Sequence, residues 1–237
     1  MMYYGYGYGG LLWDPTYFLV IIGMMITLIA SAKVKSTYAR FEKVRSHSGI
    51  TAAEAAEQIL HGAGIYDVRI ERISGHLTDN YDPRNKVLHL SDSTWRSTSV
   101  AAIGVAAHEC GHAIQDAKNY APLRIRGAIV PVVNFGSVLS WPMILLGILL
   151  SFNHTLITLG IFLFSFTVIF QLITLPVEFD ASARALKILG GSHLLYDDEL
   201  RGAGKVLKAA ALTYVAAAAA TILQLLRLLL LFGRNDD

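Results

Sequence analysis

Residues 98–119 read TSVAAIGVAAHECGHAIQDAKN, and the reading of this stretch decides the fold. Two histidines, His108 and His112, stand four apart, with Glu109 directly after the first, among small and apolar residues. The pattern predicts one helix from Thr98 to near Asn119, ahead of Pro122. Only about ten apolar residues precede His108, and Gln115, Asp116, Lys118 and Asn119 follow closely, whereas a span needs about 20. The helix is therefore expected beside a membrane, not across it.

On a helix, residues i and i+4 share a face, so His108 and His112 can turn two imidazoles toward one ion. Glu109 lies about 100° round, off the ligand set but near it, which suits a carboxylate that takes a proton from a zinc-activated water. The pattern is HExxH, and Zn²⁺ is the cofactor it implies. Gly111 and the neighbouring alanines are expected to leave room for approach to the ion. Cys110, the chain's one cysteine, reads as a small packing residue, and it excludes both a disulfide and a paired-cysteine zinc site.

The rest of the chain sets this helix in a membrane protein. Of 237 residues, 54% are hydrophobic and 16% charged, and the mean hydropathy is +0.46, too apolar for an ordinary soluble domain. Four segments are long and apolar enough to cross a bilayer: Tyr17–Ala32, closed by Lys33 and Lys35; Ala128–Ser151, with Pro131 and Pro142; Thr155–Leu175, stopped by Pro176; and Ala209–Phe232, with Arg227 placed to snorkel outward. The N-terminal MMYYGYGYGG has no basic start and reads as a tail, not a cleaved signal. Residues 33–127 hold 13 of the 20 lysines and arginines and residues 176–208 hold five more, while the tail and the FNH turn hold none. Basic loops mark the cytoplasmic side, so both regions are expected there, with both termini outside. The net charge of +2 gives no reason to expect nucleic acid as a partner.

Five divisions follow: tail and first span, 1–32; a region with the motif helix, 33–127; a transmembrane hairpin, 128–175; a second polar segment, 176–208; and the fourth span with its tail, 209–237. Within the first polar region, Thr51 caps a helix with Glu54 at the capping-box position, and Gly62 and Gly64 end it. VRIERI reads as a half-buried strand, and NYDPRNKVLHL as a turn leading into a second one. KVLHL is either an edge that receives an extended substrate or part of a core hairpin.

A catalytic zinc takes three protein ligands and keeps an open position. Glu178, in LPVEFDASARALKIL, is the favoured third ligand, on a new helix begun by Pro176 and on the same side as the motif. Asp180 is its nearest rival, and His61, His76, His89 and His193 remain open. Tyr214 and His193 are candidates for the donor that polarises the scissile carbonyl.

HECGHAIQ, followed about seventy residues later by EFDASARA with a pair of spans between them, resembles the YugP-type neutral zinc metallopeptidases, bacterial membrane proteins. More distantly it is similar to HtpX and the CAAX-prenyl endopeptidases, membrane gluzincins with a cytoplasm-facing site. The resemblance implies that His108, His112 and Glu178 bind zinc and that Glu109 is the base. The distant relatives carry an Asp four residues after the third ligand, supporting a zinc-binding histidine; this chain has Ser182 there, so Asp180 and Ser182 are the candidates for that role.

The expected fold is a mainly α polytopic membrane protein of about four transmembrane helices with a small α+β, gluzincin-like cytoplasmic domain. The expected activity is that of a zinc endopeptidase of a bacterial plasma membrane, with the bilayer and peptide or membrane-protein segments as its partners. Two other readings differ in class. A non-catalytic zinc-binding scaffold has no need of Glu109, and an intramembrane site-2 protease needs its motif inside a span and an aspartate-containing ligand motif in a later span, neither of which this chain has.

Overall fold

The structure, a computed structural model, describes residues 14–233. The N-terminal tyrosine and glycine tract and the last four residues lie outside the described residues, and with them the expectation of a tail. The elements in chain order are α1 (Tyr17–Phe41), α2 (Ala52–Gly62), β1 (Arg69–Ile73), β2 (Asn80–Asp82), β3 (Val87–Ser91), α3 (Asp92–Trp95), α4 (Val100–Ala117), α5 (Ala121–Leu149), α6 (His154–Gly191) and α7 (Asp197–Phe232). Helices α1, α5, α6 and α7 are long and apolar enough to cross a membrane. The chain divides into two compact units.

The first unit comprises residues up to Ile29, Ile129–Gln171 and those from Ala216 on. Its core is Ile144, Ile157, Ile161, Phe164, Val168 and Leu228, while Phe18, Leu28, Val138 and Leu149 are exposed, as side chains facing lipid are. The α5–α6 hairpin is tight because Gly160 has no side chain: a Cβ there would lie 2.8 Å from the Ser140 carbonyl oxygen. Arg227 does not snorkel. It is 8% exposed, its Nη2 donates to Asp14 Oδ2 at 3.0 Å, and its guanidinium lies over the Tyr17 ring. In apolar surroundings a fixed carboxylate compensates the cation where water is out of reach.

The second unit comprises Ala30–Ala128 and Leu172–Val215. Helix α2 starts where the sequence says: Thr51 accepts from the Glu54 N–H while the Glu54 side chain returns to the Thr51 N–H. The sheet has the order β1-β3-β2. Strand β3 runs parallel to β1, with Arg69 opposite Val87, and antiparallel to β2, with Tyr81 opposite Leu88. KVLHL is therefore the central strand, hydrogen-bonded on both sides, and is not an edge open to substrate. The turn before it is built by Asp82, whose Oδ1 accepts from the N–H groups of Arg84 and Asn85.

Helix α4 begins at Ser99, which caps the Ala102 N–H. Its small residues are buried on nearly every side, forming one core with Ala52, Ala55 and Ala56 of α2, Leu88 and Leu90 of β3, and Ala185 and Leu189 of α6. Pro176 does not end a helix. Helix α6 runs through it from His154 to Gly191, so Glu178 belongs to the same helix as the third span. Proline removes one backbone hydrogen bond, but leaving the helix in apolar surroundings would strand several.

Candidate metal centre

Helix α4 carries His108 and His112, one turn apart, and α6 crosses it with Glu178. The contact is close because of Gly111. A Cβ at that position would lie 2.5 Å from the Ala181 carbonyl oxygen of α6, so glycine here lets two backbones touch. The room expected beside the ion is taken by this helix crossing.

At the crossing, His108 Nε2 lies 3.2 Å from Glu178 Oε2 and His112 Nε2 lies 3.6 Å from the same oxygen. The ligand atoms of the three residues all fall within 4.8 Å of one another. Ligands on a tetrahedron at zinc bond lengths stand about 3.3 Å apart, and two nitrogens with one carboxylate oxygen are a zinc donor set. The residues present fit the ion that the sequence implies.

Each imidazole is held from behind, which leaves its Nε2 for the cluster. The Oε1 of Gln115 meets His112 Nδ1 at 3.0 Å. The Gln115 amide nitrogen donates to the Val177 carbonyl and to Asp180 Oδ2, each at 2.8 Å. Two acceptors on one side orient the amide, so its oxygen must face His112, and Nδ1 must carry the proton. Ser182 Oγ stands 3.1 Å from His108 Nδ1, in the place the absent acid would fill, while Asp180 acts on His112 through Gln115. Asp180 also receives Arg184 Nε at 2.5 Å.

Glu178 is 3% exposed. One of its oxygens faces the histidines, and the other receives Arg126 Nη1 at 2.9 Å. Burial pulls the His112 imidazole down, but the hydrogen bond to Glu178 and the charges of Glu109 and Glu178 outweigh it and leave its pKa above the ordinary value. Glu109 is 8% exposed and makes no hydrogen bond or ion pair among the described residues. Cys110 is fully buried, its thiol directed at the Ala56 carbonyl of α2, and burial pushes its pKa up, so it faces away from the cluster.

The remaining candidates separate. The Tyr214 phenol lies against the Glu178 carboxylate. His193 is exposed in the turn after α6, in a left-handed conformation at φ 54°, with no contact to the cluster among the described residues. His61 stacks on Tyr66, His89 meets Asn80 and His76 meets Tyr38. Two residues of the site escaped sequence reasoning. Gln115, three residues after His112, shares its face, and that spacing could have revealed it. Arg126 sits on α5 in a basic stretch and carries no local signal.

Taken together, these elements define a multi-pass membrane protein with a zinc-type cluster of two histidines and one carboxylate. The chain belongs to the family described as "Putative neutral zinc metallopeptidase", which it matches over residues 16–233. A relative described as "Putative membrane protease YugP", from Bacillus subtilis (strain 168), is 46% identical over 222 residues, covering 93% of this chain and 98% of the relative. No solved structure gives a significant match.

Proposed function

We propose that the protein is a zinc endopeptidase whose centre lies at the cytoplasmic face of a bacterial plasma membrane, in a small gluzincin-like unit, and that it cuts unfolded or juxtamembrane segments of membrane proteins. The observation that carries this reading is Glu109: a buried carboxylate with no hydrogen bond, one residue from a three-ligand cluster. An unpaired buried carboxylate costs several kcal/mol (about 2 at the least), and a scaffold gains nothing by keeping it.

His108, His112 and Glu178 would hold the ion, through the two Nε2 atoms and one carboxylate oxygen. Zinc bound there supplies the Lewis acidity that polarises a peptide carbonyl and acidifies a water. Gln115 and Ser182 fix the two rings, and Arg126 occupies the Glu178 oxygen turned away from the histidines. The Glu109 carboxylate accepts a proton from the attacking water and passes it to the departing amine nitrogen, so one water is consumed and an acid and an amine result. The Tyr214 phenol donates a hydrogen bond to the carbonyl oxygen as that atom gains charge. Its place against Glu178 favours it over His193. The cytoplasmic side rests on the clustering of 18 of the 20 lysines and arginines in residues 33–127 and 176–208.

The test is metal content and cleavage of an unfolded reporter by the purified full chain, as wild type, His108→Ala, Glu178→Ala and Glu109→Gln. The expected result is zinc at one per chain in wild type and Glu109→Gln, its loss in both alanine variants, and cleavage by wild type alone. Full zinc in Glu178→Ala removes the third ligand, and undiminished cleavage by Glu109→Gln removes the base.

A further inference from the structure

We propose that a basic groove between the end of α1 and the first half of α7 binds the headgroup phosphate of an anionic phospholipid from the surrounding leaflet. The groove has a volume of about 580 Å³, and its lining includes Lys33, Arg40, Lys205 and Lys208 together with Phe41 and Leu212. All six belong to the second unit.

The charge is one-sided. No Asp or Glu lines the groove, and no carboxylate pairs with any of the four cations among the described residues. Arg40 and Lys205 both lie over the Phe41 ring, 5.5 and 6.0 Å from its centre, so the walls converge on an aromatic floor. Four like charges gathered there repel one another unless an anion sits between them.

The level of the groove names the anion. Lys33 directly follows the apolar run that opens at Tyr17, and Lys208 directly precedes the apolar run that opens at Ala209. Two antiparallel helices that line one groove thus change from apolar to basic at the same height, where lipid phosphates lie. Leu212, 41% exposed one turn into the apolar run, continues the wall along which an acyl chain would descend. A phosphate meets the cations and a hydrocarbon chain meets Leu212, and a diacyl phospholipid carries both.

The experiment uses the full chain in neutral detergent, with phosphatidylglycerol and phosphatidylcholine as probes and bound lipid counted by native mass spectrometry. Wild type is expected to retain phosphatidylglycerol at least tenfold over phosphatidylcholine. At about fivefold per basic residue, Lys205→Gln with Lys208→Gln is expected to cut that retention roughly 25-fold. Lys33→Gln with Arg40→Gln, on the facing wall, is expected to do the same. Lys118→Gln, an exposed cation outside the groove, should change nothing. Thermal midpoints show which double variant is folded, and either one decides. Equal retention of the two lipids, or unchanged retention in a folded double variant, overturns the proposal.

Discussion

Replacing Gly111 by alanine tests whether the site depends on a backbone crossing. The new Cβ would sit 2.5 Å from the Ala181 carbonyl oxygen and 3.1 Å from that residue's Cα and carbonyl carbon, all backbone atoms that cannot rotate away. Real Cβ contacts stay beyond 3.0 Å, so α4 and α6 must part by half an ångström or more. Overpacking of this kind costs about 1–3 kcal/mol, although alanine returns up to about 1 kcal/mol of helix propensity. The larger effect falls on the cluster. Glu178 lies three residues before Ala181 on α6, and His108 and His112 flank Gly111, so the parting widens the 3.2 and 3.6 Å separations directly. Loosening of this order is expected to weaken zinc by about 10- to 100-fold, as loss of an outer-shell support does. The assay is competition for zinc against a chromophoric chelator in detergent, with the thermal midpoint read on the same samples. Gly127→Ala is the control, because a Cβ there meets nothing within 4 Å, and zinc affinity should be unchanged. If Gly111→Ala binds zinc within twofold of wild type, the crossing does not set the site and this reasoning fails.

Gln115→Leu keeps the helix and volume but leaves His112 Nδ1, the Val177 carbonyl and Asp180 without their common partner; zinc affinity should fall about 10- to 100-fold, and an unchanged value would show that the amide does not orient the ring. Arg126→Gln frees the second oxygen of Glu178, so the visible absorption of the cobalt-substituted protein should weaken as coordination rises above four, whereas Arg126→Lys should restore much of it; identical spectra in all three would sink the clamp. Hydrogen bonds from the Thr51 N–H and hydroxyl hold the Glu54 carboxyl below its ordinary pKa. Its contribution is therefore complete above the ordinary value, about 4.3, and lost as pH falls through the lowered folded value. Protection of the amides at the start of α2, taken relative to their intrinsic exchange rates, should then fall as pH drops below the ordinary value in wild type and show no such step in Glu54→Gln, and a step in both would contradict the sign.

What could be read from the sequence was local. Thr51 with Glu54 and the apolar runs announce themselves within four residues or by length alone, and the structure has each of them. HExxH is local too, and Glu178 could be reached because the polar segment after the third apolar run offers only a few carboxylates. The misreadings share the opposite property. Gly111 looked like space for an ion because its neighbour, Ala181, lies seventy positions away. Pro176 looked like a stop because a rule drawn from water-exposed helices ignores what a broken helix costs in an apolar setting. KVLHL could not be placed at an edge or a centre because β2 is only Asn80–Asp82, too short and polar to register as a strand. Arg227 was sent toward water because nothing nearby in sequence hints at Asp14.

The two imidazoles are held by unlike means, and that difference follows from the charge already in the site. An acid at position 182 would fix His108 and would add a third carboxylate near Glu109 and Glu178. Ser182 holds the ring without adding charge, but a hydroxyl can donate or accept, so it leaves the tautomer of His108 free. Gln115 has no such freedom, because the Val177 carbonyl and Asp180 claim its amide protons. The nearby acid, Asp180, is neutralised by Arg184 and reaches His112 only through that neutral amide. Orientation is thus supplied by dipoles and not by charge, and one Glu178 oxygen is already engaged by Arg126. Glu109 is the one carboxylate at the cluster with no hydrogen bond or ion pair among the described residues, so its oxygens are left to a water at the ion.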